Sequence, residues 1–120
     1  MKQSNSDFSR RLEGRTRAFA NKTIKLSRSL PKCIETDVIR RQITKSATSI
    51  GANYREANMS RSRADFKNKI KICQGESNET NYWLKIIRDQ DWTEGKDVED
   101  LIKESAEMIA LFTSISNKLK

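Results

Sequence analysis

Histidine is absent from this 120-residue chain, proline occurs once and glycine four times. Without histidine, Ser-His and Cys-His nucleophiles, zinc deaminase centres and Glu-x-x-His di-iron sites are excluded. Gly14, Gly51, Gly75 and Gly95 stand apart, so no glycine-rich phosphate loop exists. Scarce Pro and Gly also argue against sandwiches and barrels, which need many turns. Cys33 and Cys73 lack a C-x-x-C arrangement and are expected to be reduced, partly buried thiols. The opening "MKQSNSDFSRRLEGR" has no apolar run, so no signal peptide is expected. Nothing approaches the length of a membrane span. These absences point to a cytoplasmic protein with no catalytic residues, metal, cofactor, small-molecule substrate or membrane partner.

What is present in quantity is charge. A third of the residues are charged, and the net value is +8. Its distribution is lopsided. Residues 1–71 hold 18 Lys or Arg against 6 Asp or Glu, whereas residues 72–120 hold 6 against 10. A basic half of this kind favours polyanions, most often nucleic acid.

Apolar residues recur at steps of three and four through most of the chain, which is the signature of amphipathic helices. One helix should carry Phe19, Thr23, Leu26 and Leu30 inward and end at "LPK", because Pro31 disfavours helix in the residue before it. Thr36 with Asp37 makes a fair N-cap for a second helix, with Val38, Ile39, Ile43, Ala47, Ile50 and Tyr54 inward. Ser62, with Asp65 three residues on, resembles a capping box for a third, whose stripe runs from Phe66 through Ile70, Cys73, Ser77 and Thr80 to Leu84 and Ile87. "DQDWTEGKD" reads as a loop with Gly95 as its turn residue. The last helix has the cleanest repeat, from Val98 through Ser105 and Phe112 to Leu119. The expected fold is therefore all-α, an antiparallel up-down-up-down four-helix bundle with helices at about 12–29, 37–58, 63–89 and 97–118. Residues 1–120 form one domain, with 1–10 as a flexible leader.

The stretch "SATSIGANYREA" at residues 46–57 is unusually small and polar for a helix. Ser46, Ser49, Asn53 and Glu56 form a stripe beside Gly51 and Tyr54. Small residues admit a close neighbour, and Gly costs stability that tight packing must offset. Glu76, Glu79 and Trp83 on the third helix are suitable partners, as are Arg55 or Lys69 for such acids. Ligand contact and catalysis remain alternatives, but a catalytic site would need a pocket and perturbed carboxylates. Close packing or a subunit interface is the preferred reading.

From "LPK" through "SATSIGANYREA", the "S-x-x-DF-x-x-K" helix start and "ESNETNYWL", the chain resembles the four-helix-bundle family of 23S rRNA-intervening-sequence proteins over about residues 16–120. The resemblance implies a homopentameric ring and a nucleic-acid-associated role, since relatives are encoded in insertions within 23S rRNA genes. Similar proteins are accessory subunits of reverse transcriptases in diversity-generating retroelements, so a polymerase is an alternative partner. Gly75 departs from the larger residue usual at its position. No catalytic residue is implied.

The expected function is thus a basic, oligomeric bundle that neutralises RNA or DNA phosphates with little base reading. The alternative is a protein-interaction adaptor. Candidate phosphate contacts on the first helix are Arg10, Arg11, Arg15, Arg17, Lys22 and Lys25. Arg40, Arg41 and Lys45 follow on the second. Arg61, Arg63, Lys67, Lys69 and Lys71 complete the set around the start of the third.

Overall fold

Pro31 stops the first helix at Ser29, and three further capping signals divide the rest of the chain. The computed structural model describes residues 2–119, with side chains from residue 6 onward. It contains α1 (Lys2–Ser29), α2 (Ile34–Asn58), α3 (Arg63–Gln90) and α4 (Gly95–Asn117). Sequential helices pack side by side and α1 closes the circle against α4, while the diagonal helices α2 and α4 meet through core side chains such as Tyr54 and Phe112. That is the up-down-up-down bundle, drawn out to 47 Å along its length.

Three boundaries depart from expectation. The helix α1 begins at Lys2 rather than Leu12, so the polar leader is helical. No Pro or Gly interrupts it before Gly14, and a helix already nucleated by packing propagates cheaply into such a stretch. Asp7 and Arg10, 3.3 Å apart, support it, and Ser9 lies beside the Tyr54 hydroxyl. The N-cap of α2 is Cys33, not Thr36. Thr36 sits in the first turn, fully buried, where its hydroxyl accepts from the Cys33 N–H at 3.1 Å. Gly95 is the first residue of α4 rather than the turn; Asp91 supplies the left-handed conformation with φ 58°. Asp is among the few residues with a side chain that tolerate it. Ser62 does cap α3, its Oγ accepting from the Asp65 N–H at 3.0 Å.

The core follows the expected stripes, with one exception. Phe19, Ile43, Ile50, Tyr54, Ile70, Leu84, Met108 and Phe112 are fully buried. Val38 is 44% exposed, because Thr36, Ile39 and Ile43 define the inner face and Val38 lies about 100° from Ile39 around the helix. Many core positions are small hydroxyls, among them Thr16, Thr23, Ser46, Ser77, Thr80 and Ser105. Most satisfy themselves on a carbonyl one turn back, as Thr23 does on Phe19 and Ser77 on Cys73, both at 2.8 Å. Two pairs also tie helices together. The Thr80 and Ser46 hydroxyls are 2.8 Å apart across α2 and α3, and Asn81 Nδ2 donates to Ser105 Oγ at 2.9 Å across α3 and α4.

At Gly51, α2 is packed tightly against α1. A Cβ added at Gly51 would lie 2.9 Å from Thr16 Oγ1 and 3.4 Å from Thr16 Cβ. Thr16 cannot turn its hydroxyl aside without losing the 2.9 Å bond to the Glu13 carbonyl. Gly51→Ala should gain about 1 kcal/mol of helix propensity but lose about 1–3 kcal/mol to overpacking, for a net destabilisation. In a Thr16→Ala background the same change should stabilise. Urea denaturation of the four proteins of this cycle measures the coupling; equal effects of Gly51→Ala in both backgrounds would disprove the close contact.

Candidate nucleic-acid interface

Helical phase sorts the basic residues of α1 into two stripes. Arg10, Arg17 and Arg28 recur at steps of seven and eleven, close to whole turns, and point toward the outer edge shared with α2. Arg11, Arg15, Lys22 and Lys25 fall on the other side, toward α4. The two stripes meet different chemistry.

On the α1/α2 side, Arg10, Arg17 and Arg55 rim a depression of about 520 Å³ floored by Gly14, Ala20, Thr48, Gly51 and Ala52. Nearer the Pro31 end, Arg28, Arg40, Arg41 and Lys45 border a second, shallower cleft with Ile24, Ser27 and Thr44. Among the described residues three acids lie within salt-bridge distance of these seven cations, and only loosely, while Glu76 is near enough to Lys45 to feel its charge. Asp7 is 3.3 Å from Arg10, Asp37 is 3.7 Å from Arg40, and Glu13 is 3.9 Å from Arg55. Exposed pairs of this kind are worth about 0–1 kcal/mol and exchange readily for a better anion. Arg40 also donates to the Pro31 carbonyl, which holds its guanidinium against the end of α1. Arg28 and Arg55 were not among the candidates. Their signal was helical phase, Arg28 with Arg17 and Arg55 with Arg41, rather than closeness in sequence to other cations.

On the α1/α4 side the cations face acids. Arg15 makes a two-point contact with Glu104, Nε to Oε2 at 2.6 Å and Nη2 to Oε1 at 2.9 Å, and reaches Glu107 at 2.6 Å. This hydrogen bond holds the Glu104 carboxyl below its ordinary value against the opposing effect of burial, and pushes the Arg15 pKa further up. Lys22 and Lys25 line a cleft of about 390 Å³ opposite Asp97 and Asp100. Arg15, Lys22 and Lys25 thus complement α4, and Arg11 shares their side of α1 by helical phase.

The remaining cations are dispersed. Lys69 is bound to Glu56 at 2.8 Å, which raises its pKa, so it does not reach Glu76 or Glu79. Arg55 likewise meets Glu13 rather than those acids. Lys67 lies at heptad spacing from Asn81, on the α4 side of α3, and Lys71 follows it one turn later. Arg61 and Arg63 are exposed at the α2–α3 connection.

The small polar stripe divides as well. Ser46 and Tyr54 are buried within the bundle, and Gly51 is the close-packing point with α1. The Tyr54 ring lies 5.8 Å from that of Phe112, and burial pushes its phenol pKa up. Ser49, Asn53 and Glu56 flank α3, where Asn53 donates to the Ser49 carbonyl at 2.9 Å. Across from them on α3, the Trp83 indole N–H donates to Glu79 at 3.1 Å. Glu76 is raised by burial and by the neighbouring charge of Glu79. Cys73 is buried and its thiol is pushed up to about 12, while Cys33 is exposed; both are free. Among the described residues no group of three or more His, Cys, Asp or Glu is placed to hold a metal, and no helix is long and apolar enough to cross a membrane.

Residues 4–114 match the family described as 23S rRNA-intervening sequence protein. A solved structure from Bacteroides thetaiotaomicron, described as a protein of unknown function from the S23 ribosomal protein family, superimposes with a TM-score of 0.80. It is 35% identical and covers 91% of this chain and 97% of its own. No curated protein matches the chain.

The α1/α4 contact yields a pH-dependent expectation. Arg15→Ala should destabilise the protein by about 1 kcal/mol near neutral pH, the order for a half-exposed ion pair of good geometry. Because the Glu104 pKa is lowered on folding, this contribution is present above the unfolded carboxylate value of about 4.3 and is lost as pH falls through the lowered one. Urea midpoints of wild type and Arg15→Ala should therefore differ at neutral pH and converge once the pH lies below the lowered Glu104 value. A gap that is the same at both ends of that range would remove the pair from the stability of the bundle.

Proposed function

The chain belongs to the family of 23S rRNA-intervening sequence proteins, and from that premise we propose that it is a non-enzymatic, cytoplasmic bundle that binds RNA or DNA phosphates through its α1/α2 face. The observation that carries this reading is the gathering of seven cations, Arg10, Arg17, Arg28, Arg40, Arg41, Lys45 and Arg55, on one side of the molecule. Cations so placed displace the counterions condensed on a polyanion, which yields affinity without sequence preference. Both clefts are open at the surface and lined by groups that donate to anions. Binding to duplex DNA should fall with salt at a log-log slope of about −5, as neutralisation of about six phosphates requires. Gel shifts across a salt series measure it; no detectable complex at low salt would rule the reading out.

The same proposal includes self-association. Val38, Ile72 and Tyr82 are exposed on the outer surfaces of α2 and α3, and Trp83 is only half-buried, bonded to Glu79. An aromatic and aliphatic surface with a polar surround suits a protein partner. A second copy is the partner proposed, in a ring of five as the family resemblance implies, and such a ring would multiply a weak phosphate-binding patch by avidity. Native mass spectrometry at tens of micromolar, roughly where a stable ring persists, should show the oligomer. A monomer under those conditions would favour the adaptor reading, in which a reverse transcriptase or another protein covers this surface.

A further inference from the structure

Resting on the nucleic-acid reading above, we propose that the ligand of the α1/α2 face is a double helix, gripped by its phosphates, and not a single strand. Three features of the face point this way.

The cations form two separated groups on rigid supports. The register of α1 against α2 is set where Gly51 meets Thr16 and where Glu13 approaches Arg55. It places Arg28 opposite Arg40 and Arg41 at one end, and Arg10 and Arg17 near Arg55 at the other. From Arg10 to Arg28 is roughly 27 Å at 1.5 Å per residue, which spans about eight base pairs at 3.4 Å each. Lys45 belongs with the first group, and between it and the second the face presents Ala20, Thr48, Gly51 and Ala52, which carry no charge. Two fixed cationic groups separated by a neutral gap match phosphates that are themselves held at fixed spacing. A flexible strand would have to be ordered to satisfy both.

Stacking surfaces are lacking on this side. Proteins that hold single strands without sequence preference stack bases on aromatic rings. The aromatic residues of α1 and α2 are Phe8, Phe19 and Tyr54. Phe19 and Tyr54 are buried, and Phe8 stands at heptad spacing from Arg15 and Lys22, on the side toward α4. A base splayed onto the α1/α2 face would meet Ala, Gly and Thr side chains.

No group beneath the cations reads bases. Gly14, Ala20, Thr48, Gly51 and Ala52, between Arg10, Arg17 and Arg55, offer at most one hydroxyl, so the reach of this face comes from its cationic ends alone. What the face offers is charge at a spacing, which a duplex satisfies in any sequence.

Fluorescence anisotropy at about 50 mM salt decides it, using one duplex of roughly 20 base pairs and each of its component strands as probes. The duplex should bind about tenfold more tightly than either strand. Arg28→Ala and Arg55→Ala, one exposed cation from each group, should each weaken duplex binding severalfold. Equal or tighter binding of a single strand overturns the proposal while leaving phosphate binding intact. Duplex binding that neither substitution changes also overturns it, since the grip would lie elsewhere. Failure of all probes to bind removes this proposal together with the reading on which it rests.

Discussion

The approach of α1 to α2 at Gly51 is the constraint from which the arrangement of charge follows. There is no room for a Cβ between Gly51 and the Thr16 side chain, so the two helices are tightly packed at this point. The backbone of α1 makes far less contact with α4 than with α2. The two seams on either side of α1 are therefore unlike. One is closed by small residues, and the other is bridged by Arg15 reaching across to Glu104 and Glu107. A larger residue at 51 would widen the first seam and bring α1 nearer to α4, changing the distance between the cations of α1 and those of α2.

Charge is sorted by helical phase rather than by position along the chain. Eighteen cations in the first 71 residues look like one basic region when read in a line. In three dimensions α1 presents Arg15, Lys22 and Lys25 to the acids of α4, and Arg10, Arg17 and Arg28 to solvent beside α2. Arg15 is engaged by Glu104 and Glu107, whereas the second group, with Arg10 in an exposed pair with Asp7, stays open to an anion. Lys69, satisfied by Glu56, belongs with the first kind in spite of its basic neighbours. The acidic second half of the chain is in this sense the internal counterion of half of α1.

The buried hydroxyls play a related part. Ser46 with Thr80, and Ser105 with Asn81, pair across helix interfaces where an apolar contact would leave register less defined. Because each hydroxyl can also bond within its own helix, these positions cost little to bury. They fix α2 against α3 and α3 against α4, whereas the register of α1 on α2, which brings Arg28 alongside Arg40 and Arg41, is set where Thr16 meets Gly51.

Much of the fold was legible from residue order. Period and capping chemistry located four helices, and α2, α3 and α4 begin and end within three residues of expectation. The stripes of α3 and of α4 as far as Phe112 were read correctly because every third or fourth residue is apolar or small; beyond Phe112, Ser116 turns inward in place of Ile115 and Leu119. The start of α1 was not legible: "KQSNSDFSRR" has no apolar period, and its helix is an extension of one stabilised further along. Nor was the N-cap at Cys33, since Thr36 carries the commoner capping side chain and uses it from inside the first turn. Sequence by itself determined the number of helices, their inward faces, the net charge and the absence of histidine chemistry, all of which depend on residue identity and spacing along one helix. Only tertiary structure decided which cations are already neutralised by acids 89 and 92 residues away and which remain open, because that depends on the rotation and register of one helix against another, and local spacing does not encode either.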